Sequence, residues 1–137
     1  ILVHAAGLLA KLTPAAHIMP KDWADSLAVN ATATWRLIRT LDPLLRAAPA
    51  GRAVILTDSR AAQPLAYWGL YGAAKAAQAH LAETWRQETV NTPLRVVLHD
   101  PGPTATNLRM AAMPGEDQAT LQTPEAAGER VADLATA

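Results

Sequence analysis

Three short runs of consecutive apolar residues divide the chain, and each has the length of a buried strand. They are ILV at residues 1–3, RAVILT at residues 52–57 and LRVVLH at residues 94–99. Apolar residues at consecutive rather than alternate positions indicate strands that are covered on both faces. A loop is expected at the end of each strand, in the stretches HAAG, TDSRAAQ and DPGPTATN.

Between these runs the apolar positions recur at steps of three and four residues, which is typical of amphipathic helices. The first helix is expected to begin near Pro20 and to continue through Pro43 until the stretch AAPAG ends it. The second is expected over residues 68–89. Kinked helices tolerate a proline, so Pro43 need not end the first helix.

The last helix is predicted from its first residues. Thr123 is placed as the N-cap, Pro124 as the first helical residue, and Glu125 near the positive end of the helix dipole. The predicted order is therefore strand, helix, strand, helix, strand, loop, helix. This alternation predicts an α/β fold with a three-layer α/β/α arrangement around a parallel sheet.

Composition narrows the classes of partner. The 137 residues suit a single domain, residues 1–137, and an apolar fraction of 50% excludes a disordered chain. Twelve basic residues balance twelve acidic ones without a charged block, so neither nucleic acid nor a membrane surface is expected as a partner. No apolar run approaches the roughly 20 residues of a membrane span. The absence of cysteine excludes thiolate metal sites, and no metal is expected. A chain without cysteine is also compatible with a cytoplasmic location.

The stretch YGAAK holds the first candidate for chemistry. Tyr71 and Lys75 are four residues apart and therefore lie on one face of the second helix. A cation close to a phenol lowers its pKa from about 10, so that the tyrosine can act as an acid or a base. An isolated pair with this spacing is more often an ordinary packed tyrosine beside a solvated lysine.

Two polar residues upstream favour the catalytic interpretation of this pair over the ordinary one. Ser59 directly follows the second strand, where its hydroxyl could hydrogen-bond a substrate oxygen beside Tyr71. Asn30 stands within the first helix, where asparagine is unfavourable, and its side chain could hold a water or its carbonyl could be freed by a kink. Taken alone, Ser59 is an ordinary loop serine, and Asn30 is more often a tolerated polar residue. In parallel sheets, ligands bind at the carboxyl ends of the strands, where these loops converge.

Five motifs in this order resemble the short-chain dehydrogenase/reductase family. They are ILVHAAG for its Asn-Asn-Ala-Gly loop, VNATATW for its asparagine segment, AVILTDS for its serine strand, YGAAK for Tyr-x-x-x-Lys, and DPGPTAT for Pro-Gly-x-x-x-Thr. Within the family, YWGLYGAAKAA and PGPTATNLRMAAMPGED look most like the bacterial YciK-like oxidoreductases. The resemblance implies a Rossmann-like sheet, of which this chain would be the C-terminal, catalytic part.

The resemblance also implies a function and its residues. The expected reaction is hydride transfer between NADP or NAD and a carbonyl or alcohol substrate, with Tyr71 as general acid/base. The four catalytic positions would be Asn30, Ser59, Tyr71 and Lys75. Asn30 would support a water-linked proton relay to Lys75. The cofactor would contact Ala5, Ala6, Gly7, Tyr71, Lys75, Pro101, Gly102, Thr104 and Thr106.

Further expectations follow from the family pattern. The two long helices resemble those that form homodimers or homotetramers in the family. Residues 106–122, with Met110 and Met113, lie where the family has a segment that covers the substrate, although a packed surface helix would fit equally. The four tryptophans are expected as core or interface anchors, and Trp68 could also line a substrate pocket.

The chain departs from the family pattern at several positions. His4 and Ala5 replace two asparagines, and His4 is expected to be an ordinary loop histidine. Asp58, beside the serine, is expected to face solvent, and Pro103 stiffens the loop after Pro-Gly. None of these departures removes a catalytic residue.

The chain begins directly on a predicted strand, without the glycine-rich turn that cradles the pyrophosphate or the residue that selects between NAD and NADP. We therefore expect a piece of a longer chain, lacking the first strands and the last strand of the family fold. Such a piece is expected to bind dinucleotide poorly and to be inactive by itself.

A protein of this family that has lost turnover and serves in binding or structure is the alternative. A hydrolase using Ser59 is disfavoured because the Gly-x-Ser-x-Gly elbow is absent.

Overall fold

The structure is a computed structural model that describes residues 1–59 and 63–137. Its elements follow the predicted order, with bounds that differ by at most one residue, and part of the predicted loop after the second strand lies outside the described residues. The strands are β1 (Leu2–His4), β2 (Arg52–Leu56) and β3 (Arg95–His99), and the α-helices are α1 (Pro20–Leu27), α2 (Ala33–Ala47), α3 (Gly69–Glu88), α4 (Asn107–Ala112) and α5 (Pro124–Thr136).

The strands form a parallel sheet in the order β1-β2-β3. Ala53 of β2 pairs with Leu2 on one side and with Val96 on the other. The central strand is the most deeply buried element, since Ala53, Val54 and Ile55 each expose 0% of their surface. This burial is the reason why β2 is apolar at consecutive positions, as its sequence pattern predicted.

The core has two layers, one on each face of the sheet. On one face, side chains of α2 and α3 pack against the strands around Ile55 and Trp85. On the other face, Val131 and Ala135 of α5 pack against Val54. The three-layer α/β/α arrangement is therefore confirmed.

A π turn, Ala28–Thr32, joins α1 to α2, so the chain stays helical from Pro20 to Ala47. Pro43 lies inside α2 and does not end it, as predicted. Insertion of one residue into a helix produces such a turn, and π turns frequently occur at functional sites. The kink expected near Asn30 has this form.

The connection from α2 to β2 turns at Gly51. A Cβ atom at this position would lie 2.1 Å from the carbonyl oxygen of Leu45, a distance that no side chain tolerates. Trp85 holds α3 against α2 nearby, because its indole Nε1 donates to the carboxylate of Asp42 over 2.6 Å. Together these contacts fix α2 and α3 on the same face of the sheet.

The tryptophans differ in their surroundings. Trp85 is a core residue with 2% of its surface exposed, whereas Trp23 and Trp35 are 44% and 45% exposed. Trp35 stacks with Arg39, whose guanidinium carbon lies 5.7 Å from the ring centroid. Within the described residues, no helix has the length and apolar character required to cross a membrane.

Candidate active site

The ends of the three strands border a cavity of about 400 Å³. The three loops that were predicted to converge do so here, and every proposed cofactor-contacting residue lies in the wall, as do three of the four proposed catalytic residues. The lining residues with a sequence-based assignment are Ala5, Ala6, Gly7, Ser59, Tyr71, Lys75, Pro101, Gly102, Thr104 and Thr106.

Tyr71 lies in the first turn of α3 and is 6% exposed. Its hydroxyl donates to Oδ2 of Asp58 over 3.2 Å. Its ring meets Trp68 edge to face, with 5.9 Å between the centroids, and Trp68 also lines the cavity. The contact with Asp58 corrects the expectation that Asp58 simply faces solvent.

Lys75 lies one helical turn after Tyr71 and is 6% exposed. Its ammonium donates to the carbonyl oxygen of Leu56 over 3.0 Å and to Oε1 of Gln78 over 2.5 Å. Since Leu56 ends β2, the first of these bonds ties the lysine to the carboxyl edge of the sheet. The third ammonium proton remains for the cavity that Lys75 lines.

Burial and nearby carboxylates set the ionisation of this pair. Burial raises the pKa of Tyr71 well above its usual value, and the carboxylates of Asp58 and Asp100 raise it further. Burial lowers the pKa of Lys75, an effect that the same two carboxylates oppose. The net pKa of Tyr71 is therefore raised and not lowered as the sequence-based interpretation expected, because burial and the acidic neighbours dominate.

Ser59 contacts Asp100, the residue that follows β3. The serine hydroxyl donates to Oδ2 of this carboxylate, and the serine amide donates to the same atom over 3.1 Å. The amide of Gly102 donates to Oδ1 over 2.8 Å. Partial burial of Asp100 would raise its pKa, but these hydrogen bonds outweigh that effect and lower it.

Asn30 is fully buried in the π turn and does not line the cavity. Its Nδ2 donates to the carbonyl oxygen of Leu8 over 2.8 Å, and its Oδ1 accepts from the amide of Leu8 over 2.9 Å. Nδ2 also lies 3.1 Å from the hydroxyl of Ser26, to which it donates. The side chain thus braces the loop after β1.

The Pro-Gly loop after β3 is held by a residue that the sequence did not single out. Gln122 donates from Nε2 to the carbonyl oxygen of Pro101 and, over 2.8 Å, to the hydroxyl of Thr104. Gly102 has a φ of +74°, which favours glycine. The Thr106 hydroxyl accepts from the amide of Arg109 over 3.1 Å and so caps α4.

His4 is not the loop histidine that was expected. It ends β1 with 4% of its surface exposed, and its Nε2 lies 2.9 Å from the hydroxyl of Thr34. Burial lowers the pKa of His4, and the charge of Lys75 lowers it further. Within the described residues, His4 is not part of any group of three or more residues suited to bind a metal.

Three polar residues near the site were missed or undervalued on the sequence. Asp58 and Gln122 lie in loops, where spacing carries no information about contacts. Gln78 could have been found, because it is a polar residue three positions after Lys75 on the same helix face.

These features define part of a Rossmann-like α/β domain with its site at the carboxyl edge of the sheet. The chain belongs to the short-chain dehydrogenase family, whose model matches residues 1–117. It is 37% identical over 123 residues to YciK, an uncharacterized oxidoreductase of Escherichia coli K12. The match covers 90% of this chain and 48% of YciK, so the chain spans about half the length of this relative. The predicted resemblance to YciK-like proteins is confirmed.

Solved structures share the fold. A protein described as a short-chain dehydrogenase from E. coli CFT073, in complex with NADPH, superposes with a TM-score of 0.88 at 36% identity. This match covers 96% of the present chain and 55% of that one. A Shigella flexneri counterpart in complex with NADP has a TM-score of 0.82 at 37% identity, covering 89% of this chain and 51% of its own.

Proposed function

We propose that this chain forms the catalytic part of an NAD(P)-dependent oxidoreductase that interconverts a carbonyl compound and an alcohol. The observation that carries the proposal is the cavity at the sheet edge, where Ser59 from the loop after β2 lines the wall together with Tyr71 and Lys75 of α3. The family membership supports the class of reaction.

The residues present are compatible with the nicotinamide half of a dinucleotide. The cavity is of ordinary size for a ligand pocket, and Ala5, Ala6 and Gly7 border it with small side chains that leave the backbone accessible. Gly102 adds a further position without a Cβ atom. Because two relatives were solved with NADPH or NADP, we favour NADP over NAD. When bound, the cofactor supplies or accepts the hydride.

Tyr71 serves as the general acid in the reductive direction. A phenol whose pKa is raised by burial stays protonated at neutral pH and can donate its proton to a carbonyl oxygen. Lys75 contributes a positive charge in the same wall, which stabilises negative charge that develops on that oxygen. Ser59 orients the substrate oxygen from the neighbouring loop.

Asn30 acts on this site indirectly. Its bonds to both backbone groups of Leu8 hold the loop that carries Ala5, Ala6 and Gly7. The water-linked proton relay that the family resemblance implied between Asn30 and Lys75 stays a prediction.

A second candidate is a catalytically silent binding protein of the same family. The observation that favours it is that both reactive hydroxyls already have carboxylate acceptors. Tyr71 donates to Asp58, and Ser59 donates to Asp100. A substrate oxygen must replace these acceptors before either hydroxyl can take part in a reaction.

Reduction of a panel of aldehydes and ketones with NADPH and NADH separates the two candidates. In a version of the chain extended at its N-terminus, the wild type is expected to be active, and Tyr71→Phe is expected to lose about 10²–10⁴-fold in rate. Tyr67→Phe is the matched control, because Tyr67 is 61% exposed and does not line the cavity. Equal inertness of the wild type and Tyr71→Phe would favour the binding protein.

The cofactor part of the proposal is tested by titrating NADPH and NADH into this chain and into a version extended at its N-terminus. Weak binding by the chain itself and tight binding by the extended version are expected. Tight binding by the chain alone would contradict the expected dependence on a preceding glycine-rich turn.

Assembly through α2 and α3 also belongs to the proposal. Trp35 and Leu44 of α2 expose 45% and 67% of their surface, which leaves apolar area for a second copy. Sedimentation of the wild type is expected to show a dimer or tetramer. Trp35→Glu should shift it toward monomer, whereas an unchanged mass distribution would exclude this face. We place the enzyme in the cytoplasm.

A further inference from the structure

Behind Lys75, four buried polar side chains connect three elements that are distant in sequence. Lys75 and Gln78 belong to α3, Thr34 to α2 and His4 to β1. Gln78 and Thr34 expose 0% of their surface, and His4 exposes 4%. Polar groups at such depth are retained only when they are hydrogen-bonded, so each contact constrains its neighbours.

The ammonium of Lys75 determines which group donates and which accepts in this chain of hydrogen bonds. An ammonium can only donate, so the Gln78 atom that lies 2.5 Å from Lys75 Nζ must be the carbonyl oxygen Oε1. The amide nitrogen then points away from the lysine and donates to the hydroxyl of Thr34 over 3.2 Å. The orientation of the Gln78 amide is therefore fixed at both ends.

Thr34 continues the chain of hydrogen bonds to His4 in the same donor-to-acceptor sense. Its oxygen accepts from Gln78, so its own proton is available for Nε2 of His4 at 2.9 Å. His4 accepts that proton when the imidazole is neutral and carries its hydrogen on Nδ1. Burial and the charge of Lys75 both favour the neutral ring.

We infer that Gln78, Thr34 and His4 form a directed hydrogen-bond chain that positions Lys75 and stabilises its charged form. Gln78 contacts the ammonium directly, and Thr34 and His4 act through it; all three are positioning residues. The role of Lys75 in turnover rests on the proposed function, whereas the effect on its ionisation does not. None of the three lines the cavity, so a change in them reaches the site only through Lys75.

The direct test is the pKa of Lys75, measured by NMR of the labelled side chain in Gln78→Met. Loss of a buried acceptor disfavours the ammonium, so the pKa should fall by about one unit. Gln87→Met is the matched control, because Gln87 is exposed on the same helix and donates to Glu83. An unchanged pKa of Lys75 in folded Gln78→Met would overturn the inference.

A second pair of variants separates positioning from simple loss of stability. Thr34→Val and Thr89→Val each remove a buried threonine hydroxyl, but Thr89 donates to the carbonyl oxygens of Trp85 and Arg86, away from the chain. Both should destabilise the fold, and only Thr34→Val should lower the pKa of Lys75. Thr34→Ser should restore it, and equal pKa values in the two valine variants would contradict the inference. This pair also decides the matter if Gln78→Met fails to fold.

Kinetics links the chain to the proposed function. In an active wild type, Gln78→Met should lower kcat at neutral pH roughly tenfold, with the pH profile displaced in parallel with the pKa of Lys75. Gln87→Met should keep wild-type rates. If the N-terminally extended wild type reduces no carbonyl compound, the proposed function fails, and the NMR comparison still decides the positioning role.

Discussion

The hydroxyl of Tyr71 donates to the carboxylate of Asp58, which lies two residues beyond the end of β2. The acid of the proposed reaction is thus already hydrogen-bonded to a negative group of the same chain. A carboxylate in this position favours the protonated phenol and opposes the phenolate. In the proposed reaction, Tyr71 is therefore expected to act as the proton donor to a carbonyl at neutral pH.

Replacing Asp58 should move the ionisation of Tyr71. Asp58→Asn removes a negative charge beside the phenol, so the pKa of Tyr71 should fall by about one unit. Burial, the largest cause of the raised pKa, persists and keeps it above its ordinary value. Absorbance titration of tyrosinate in a Tyr67→Phe background measures the shift, because the chain has only two tyrosines.

Asp133→Asn is the control for this change, since Asp133 is exposed on α5. This variant should leave the pKa of Tyr71 unchanged. A pKa of Tyr71 that stays constant or rises in Asp58→Asn would show that the carboxylate does not act on the phenol.

Asp100 should make the fold sensitive to acid. Its pKa is lower in the folded protein than in the unfolded chain, so the unfolded chain binds the proton first as pH falls. The stabilisation is present above the unfolded pKa of about 3.9 and is lost as pH falls through the folded value.

Asp100→Asn should therefore reduce the free energy of unfolding at neutral pH and flatten its decline below pH ~4. Denaturant titrations at a series of pH values test this, with Asp133→Asn beside them. If the free energy of unfolding depends on pH in the same way in the wild type and in Asp100→Asn, the hydrogen bonds from Ser59 and Gly102 are not the cause of the acid sensitivity.

Asn30 should matter for stability through the loop after β1. Asn30→Ala leaves the amide and carbonyl of Leu8 without their partners and should cost about 2–3 kcal/mol in the free energy of unfolding. Asn30→Asp keeps an acceptor for the Leu8 amide but loses the donor, so it should destabilise as well. Asn91→Ala, at an exposed position, should change the value by less than about 0.5 kcal/mol; equal effects of Asn30→Ala and Asn91→Ala would refute the bracing role.

The N-cap of α5 offers a test of the fold itself. The Thr123 hydroxyl accepts from the amide of Ala126 over 3.2 Å, as the sequence predicted. Thr123→Ala should cost about 1 kcal/mol in the free energy of unfolding. Thr136→Ala, in the exposed last turn of the same helix, is the control. If it lowers the free energy of unfolding as much as Thr123→Ala does, the loss in Thr123→Ala does not come from the N-cap.

The sequence predicted the fold well because its strongest patterns are local. Consecutive apolar residues in β2 follow from burial on both faces, and Thr123-Pro124 marks a helix start without any tertiary information. The candidate site residues were predicted from the order of the motifs, and all of them except Asn30 line the same cavity.

The rest depends on contacts that no local pattern contains. His4 contacts Thr34, which lies 30 residues away in the sequence. Tyr71 donates to Asp58 across a loop, and the spacing of residues in the sequence does not determine the path of that loop. The sign of the pKa change at Tyr71 was missed for the same reason. Spacing revealed the nearby cation, whereas burial and the acidic neighbours appear only in three dimensions.

The polar chain from Lys75 to His4 also has a consequence for how α3 finds its place. The buried face of α3 carries the apolar residues Leu70, Ala74, Ala82 and Trp85 beside the polar Lys75 and Gln78. A displacement of the helix by one turn would leave Lys75, Gln78 and Thr34 buried without their hydrogen-bond partners, which is costly in a protein interior. These polar side chains therefore add a requirement for one docking position of α3 to that set by apolar packing.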